Sequence, residues 1–204
     1  MTTAGPPPRT FVEQARRAQI IDAAIATLAD VGYSSTTMSR IAARAGVSTA
    51  LVSYHFDGRD DLMLAVMATL DQRIEDAITE DTDDSASYID ALRDLIVSMV
   101  RYFGSHRTEV LAHGSLYTGP PPDSPLARRG AERHRTDIAD LAQMFREGQE
   151  HGEYREFDVD VMATALMATL QAVPGELLTD PSRTEPYAHE VAELFVRAVR
   201  RRAR

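Results

Sequence analysis

Apolar residues recur at helical spacing along almost the whole chain, and no segment shows the period-two alternation of a half-buried strand. Ile20, Ala24, Leu28 and Val31 form one stripe and predict a helix from about Phe11 to Val31, ended by Gly32. Leu62, Val66, Leu70 and Ile74 do the same for a helix from Asp60 to about Glu80. A heavily apolar helix is expected from Ser87 to about His106, and a shorter one from Arg107 to Tyr117, stopped by Gly119-Pro120-Pro121-Pro122 because proline lacks the amide hydrogen and clashes with the preceding turn. Leu126 to about His151, Val159 to about Leu178 (kinked or interrupted at Pro174-Gly175) and Glu185 to Arg202 complete the series. The polar run Thr79 to Ser85 reads as a loop and domain boundary, and the Pro-rich residues 1–10 read as a disordered tail. The fold class is all-α.

The stretch from Thr36 to Phe56 carries the most specific pattern. Met38, Ile41, Ala42 and Ala45 lie at i, i+3, i+4 and i+7, one face of a short helix. Thr36 or Thr37 can cap its start, since a threonine hydroxyl accepts from an orphan first-turn amide. Gly46 falls just past the last periodic residue, where a left-handed conformation is usual. Ser48 is a second cap, so a new helix begins at Thr49 and runs to about His55. Val52 and Phe56 point inward from it. Thr49 with Ser53, and Ala50 with Tyr54, lie on outward faces that are small, hydroxylated and aromatic, able to approach a groove, bond to base edges or phosphates and touch thymine methyls. Leu51 fits either side. Two short helices about a glycine bend form a helix-turn-helix, which sets its second helix in the major groove. Periodicity alone would equally allow a plain helical hairpin inside a core.

The wider pattern separates these alternatives. Arg17-x-x-Ile20-x-x-Ala23-Ala24, Gly32-Tyr33, Thr36-Thr37, Ile41-Ala42-x-x-Ala45-Gly46-Val47-Ser48, Tyr54-His55-Phe56, Arg59 and Leu62 closely resemble the TetR family of bacterial transcription regulators over about the first third of the chain. The resemblance implies an N-terminal three-helix DNA-binding domain with a helix-turn-helix (residues 11–60, the motif at 36–55) and a C-terminal helical ligand-binding and dimerisation domain (61–204). It implies DNA contacts at Thr37, Ser39, Ser48, Thr49, Ala50, Ser53, Tyr54 and His55, with Arg59 gripping a phosphate. Two departures bear on base preference: many relatives have tyrosine where this chain has Ser53, and a lysine or arginine where it has Thr49.

Net charge is −9, at first sight wrong for a nucleic-acid binder. Residues 1–60, however, hold six arginines against five acids, so the acidic excess lies in the remainder. Affinity follows local phosphate neutralisation, and an acidic bulk disfavours misoriented encounters. The small positive excess implies weak non-specific binding by a monomer and a need for dimerisation. All 22 basic residues are arginine and cysteine is absent, which leaves no disulfide or thiolate chemistry. No run approaches about 20 apolar residues and MTTAGPPPRT is not an apolar signal segment, so a cytoplasmic location is expected, with no membrane partner.

The helix from Val159 to Leu178 is apolar nearly all round, with Ala163, Ala165, Ala168 and Ala172 allowing close approach. It is either the centre of one bundle or, as the resemblance implies, part of a two-fold dimer made by the last two long helices; Glu153-Tyr154 and Asp158-Val159-Asp160 resemble the turn that precedes such a helix. A dimer suits two recognition helices entering successive major grooves about 34–36 Å apart on a palindromic operator of double-stranded DNA. Met99, Tyr102, Phe103, Leu116, Tyr117, Met144, Phe145 and Gln171 mix soft, aromatic and polar side chains, as an effector pocket would; a plain core is the competing reading, and the family resemblance favours a small-molecule effector. His106 and His113 lack a third ligand for a metal, Arg128, Arg129, Arg133 and Arg135 read as the solvated face of a long helix, and the C-terminal arginines read as cations at a helix end. There is no nucleophile–base set and no phosphate loop. The expectation is a non-enzymatic, ligand-responsive repressor without a cofactor; a regulator answering to a protein partner, with no pocket, is the alternative.

Overall fold

The computed structural model describes residues 11–80 and 87–201, so the expectations for the N-terminal tail, for most of the 79–85 loop and for Arg202 to Arg204 fall outside the described residues. Within them the chain is helical: α1 (Phe11–Ser35), α2 (Met38–Ala45), α3 (Thr49–His55), α4 (Arg59–Glu80), α5 (Tyr88–Ser105), α6 (Arg107–Thr118), α7 (Pro125–Glu150), α8 (Val159–Thr179), a 3-10 turn (Pro181–Arg183) and α9 (Thr184–Val199). Five of these α-helices start on a side-chain cap, Thr37, Ser48, Ser87, Ser124 and Asp158 each accepting from an amide of the first turn. α1 breaks its helical backbone at Gly32, with φ 73° and ψ 171°, so Tyr33 is aimed back toward the core.

Two buried clusters organise the molecule. The first joins α1 to α4 and takes in Ala112 and Leu116 from α6 and Leu126 from α7. The second joins α5, α7, α8 and α9. α6 lies between them, and its packing on α1 is the most extensive of any helix pair. Phe145, fully buried, anchors an aromatic group with Tyr154 and Phe157 at ring separations of 6.0 and 5.6 Å. The close approach of Tyr154 to α7 requires Gly148, where an added Cβ would lie 2.3 Å from the tyrosine ring.

α8 continues as a helix through Pro174, with Leu170, Val173 and Leu177 buried on both sides of the proline. It has the length and apolarity of a membrane span, but its buried residues form one face packed on α5 and α7, as in a core helix. The opposite face is exposed and carries Val161, Ala165, Ala168 and Ala172 at i, i+4, i+7 and i+11, with Leu194 exposed on α9. Ala163 is not part of that face; it is fully buried in the chain's own core.

Candidate functional site

The helix-turn-helix is built from local hydrogen bonds. Thr37 Oγ1 accepts from the Arg40 amide at 3.3 Å, which starts α2. Gly46, at φ 66° and ψ 32°, ends it, with the Gly46 amide donating to Ala43 O (3.2 Å) and the Val47 amide to Ala42 O (3.0 Å). That pair of reverse bonds satisfies orphan carbonyls and requires a left-handed residue, hence glycine. Ser48 Oγ accepts from the Leu51 amide at 3.1 Å and starts α3. Val52 and Phe56 are buried, which turns Thr49, Ala50, Ser53 and Tyr54 outward; Tyr54 is 70% exposed. Ser48, Thr37 and Ser39 are exposed beside them. These seven exposed residues are small, hydroxylated and aromatic.

Two expected contacts are placed otherwise. His55 is buried, one turn beyond Val52 on the inner face of α3, with its ring edge-on to Tyr54 at 5.1 Å. Arg59 turns inward rather than toward a phosphate: Nε donates to Thr36 O at 2.9 Å, Nη2 donates to Tyr33 O at 2.5 Å, and the guanidinium stacks on the Tyr33 ring at 4.0 Å. It clamps the connection between α1 and α2. Two residues of α1 do related work that spacing does not announce. Gln19 donates to Ala45 O at 2.8 Å and Arg17 to His55 O at 2.6 Å, so α1 closes the C-terminal ends of both α2 and α3. Arg17 also stacks on Phe56 at 4.0 Å. Arg40, exposed on the first turn of α2, adds a cation to the outward surface.

A cavity of about 730 Å³ lies between α4, α5, α6, α7 and α8. Met99, Tyr102, Phe103, Tyr117, Met144 and Gln171 line it, as expected from the sequence. Leu116 and Phe145 do not: the first packs into the α1–α4 core and the second into the aromatic group under α7. The wall also carries charged side chains that helical periodicity assigned to solvent. Asp71 on α4 faces His113 Nε2 on α6 at 3.4 Å, with its side chain only 11% exposed. Arg133 pairs with Asp137 on α7 at 2.7 Å. Glu109 accepts from Arg73 at 2.6 Å and from the Tyr102 hydroxyl, and Arg73 reaches on to Asp22 of α1 at 2.6 Å. Burial raises the Asp137 carboxyl above the usual range despite Arg133, and the Asp71 charge adds to the rise. Burial, Asp71 and Asp137 together push the Tyr117 phenol up to about 12.

Such an architecture, a capped helix-turn-helix carried on an all-helical body with a cavity among its later helices, is that of a helical transcription regulator. The family model for bacterial regulatory proteins of the tetR family matches residues 20–66. The HTH-type transcriptional regulator BetI of Cronobacter sakazakii is 37% identical over 71 residues, 35% of either chain, so the match spans about a third of the length of the curated relatives. A bacterial regulatory protein in the tetR family from Rhodococcus RHA1 superposes with a TM-score of 0.73 at 22% identity, over 92% of this chain and 98% of that one. The fatty acid degradation regulator FadR of Bacillus halodurans gives 0.76 at 21%, over 88% and 97%. Residues 20–66 thus match the tetR family of bacterial regulatory proteins, and the chain as a whole shares the fold of solved tetR-family regulators.

Proposed function

We propose that this chain is a dimeric repressor that holds a palindromic operator through two copies of α3 and lets go when a small molecule occupies the cavity. The observation that carries the reading is the placement of that cavity: α4 and α6, which supply much of its wall, also supply Leu62, Leu70, Ala112 and Leu116 to the core beneath the helix-turn-helix. An occupant that prefers one spacing of these helices shifts the population of DNA-competent dimers by its differential affinity. The cavity favours this over control by a protein partner alone. The exposed apolar and small-residue face of α8, with Leu194 of α9, supports a two-fold pairing of these helices, because a contiguous apolar stripe on a free surface is unfavourable in water. Thr37, Ser39, Ser48, Thr49, Ala50, Ser53 and Tyr54 make the DNA contacts in this reading. His55 and Arg59 support them from inside.

The test is DNA selected by the wild-type protein from a random library, titrated by fluorescence anisotropy against Tyr54→Ala. The variant loses at least about tenfold in affinity, a little over 1.4 kcal/mol, while sedimentation still reports a folded dimer. Full affinity in Tyr54→Ala overturns the placement of α3 in the groove, and a monomeric wild type overturns the two-fold geometry.

A further inference from the structure

The cavity has a charge that a general apolar pocket does not need. Asp71, Glu75, Glu109, Asp137 and Asp140 line it, and Arg133 is the arginine among its lining residues. Arg73 compensates Glu109 from behind the wall at 2.6 Å. Glu75 and Asp140 are exposed to solvent, so among the part-buried carboxylates Asp71, Glu109 and Asp137 the two arginines leave one in excess. Asp71 is the least compensated of the buried ones: its ion-pair neighbour is an imidazole at 3.4 Å, which carries charge only when protonated. Asp71 comes from α4 and Asp137 from α7; Asp71 faces His113, whose ring lies 4.6 Å from the Tyr117 ring, and Asp71, His113, Tyr117 and Asp137 all line the void. Two carboxylates close together in a site of reduced dielectric repel each other, and a cation between them relieves that repulsion. The wall also includes Met99, Phe103, Met144 and Leu170, and the Tyr117 ring. Soft and aromatic surface next to uncompensated carboxylate is the chemistry that recognises an organic cation with an apolar body, through charge pairing and cation–π attraction. An anionic amphiphile meets the reverse field, with Arg133 already engaged by Asp137.

We propose that the effector is a lipophilic organic cation, its charged centre seated between Asp71 and Asp137 beside Tyr117 and its apolar body against Met99, Phe103 and Leu170. This rests on reading the cavity as the effector site and assigns that site its ligand class.

The experiment uses the full chain and two ions of matched shape and opposite charge, tetraphenylphosphonium and tetraphenylborate, titrated calorimetrically. The neutral dye N-phenyl-1-naphthylamine reports on access to the cavity. Tetraphenylphosphonium is expected to bind and to release selected DNA, tetraphenylborate to bind at least tenfold more weakly, and Asp71→Asn and Asp137→Asn each to lose at least tenfold for the cation while keeping the dye and the wild-type circular dichroism. Preference for the borate, or unchanged cation affinity in both asparagine variants, overturns the assignment. If the dye binds and the cation does not, the cavity stands as a site and the ligand class falls. If none of the three binds, the effector-site reading falls with it.

Discussion

Arg17 offers the sharpest test of how the recognition helix is held. α3 has seven residues, too few to be helical alone in water, and its last carbonyl, on His55, accepts from Arg17 at 2.6 Å while the same guanidinium lies 4.0 Å over Phe56. A hydrogen bond from a charged donor contributes about 1.5–3 kcal/mol, and a partly exposed cation–π contact about 0.5–1 kcal/mol. Water recovers part of both when the group is removed, so Arg17→Met should cost the ordered form of α3 about 2 kcal/mol. If that cost falls wholly on the DNA-competent state, affinity drops about thirtyfold, since 1.4 kcal/mol is tenfold. The competing idea is that Arg17 touches a phosphate directly. Salt dependence separates the two, because each neutralised phosphate adds about 0.9 to the slope of log affinity against log salt. We expect Arg17→Met to weaken binding five- to thirtyfold with a slope unchanged to within about half a phosphate contact, and Arg17→Lys, which keeps the charge but lacks the planar fork, not to restore it. A slope lower by about 0.9, with rescue by lysine, refutes the positioning argument.

Two further outcomes follow from the packing. Gly148→Ala puts a methyl where the Tyr154 ring stands 2.3 Å away, and that ring is fixed by Phe145, Phe157 and the bond from its hydroxyl to Tyr88 O at 2.5 Å; overpacking of this kind costs about 1–3 kcal/mol, a fall of roughly 3–10 °C in melting temperature for a chain of this size, with DNA affinity of the folded dimer unchanged. Asp137→Asn should raise the melting temperature of the ligand-free protein at neutral pH. The folded carboxyl sits above its ordinary value, chiefly through burial, so its ionised form is penalised by folding; the penalty is full above the folded pKa and gone below the unfolded value of about 3.9. Thermal melts across that window should therefore show the variant's advantage disappearing as pH falls, and a variant less stable at pH 7 contradicts the sign.

The legible features were those written within a few residues of each other. The caps Thr37 and Ser48, the bend at Gly46 and the inward pair Val52 and Phe56 are local signals, and α3 has the bounds those signals predict. What the spacing could not carry is orientation set by distant chain. His55 and Arg59 fit outward contact positions by sequence, but their direction is decided by Phe56 burial and by carbonyls of the α1–α2 connection, 23 and 26 residues before Arg59. The same holds in the C-terminal domain. Apolar periodicity marks Leu116, Phe145, Met99 and Met144 alike, and only the placement of neighbouring helices decides which two fill a core and which two face a void. Asp71 and Asp137 were invisible because a charged residue on a long helix ordinarily faces water. A run-through proline was invisible for a related reason: the loss at Pro174 is local, while the burial of Leu170, Val173 and Leu177 that holds α8 together is not.

The tertiary contacts also say how an occupied cavity would be felt at the DNA. Reversing a population from 99:1 to 1:99 needs about 5.5 kcal/mol of differential affinity, so the wall that senses the ligand must have little slack against the reading head. α6 meets that demand at both ends. Near its start, Glu109 accepts from Arg73, whose other amino group holds Asp22 of α1, while the Tyr102 hydroxyl ties the same carboxylate to α5. Just past its last residue, Gly119 has no room for a side chain: an added Cβ would stand 2.4 Å from Tyr33 Cβ and 2.7 Å from Ser115 O. Tyr33 is the ring on which Arg59 stacks, and Arg59 also holds Thr36 O, the residue before the cap of α2. A shift of α6 toward or away from a ligand therefore presses on the connection from which the helix-turn-helix hangs, through groups in contact and not through a flexible link. Close-packed interfaces of this kind deform by switching between arrangements and not by yielding gradually, so under the proposed function a small displacement at the cavity wall would decide whether two copies of α3 match the spacing of successive grooves.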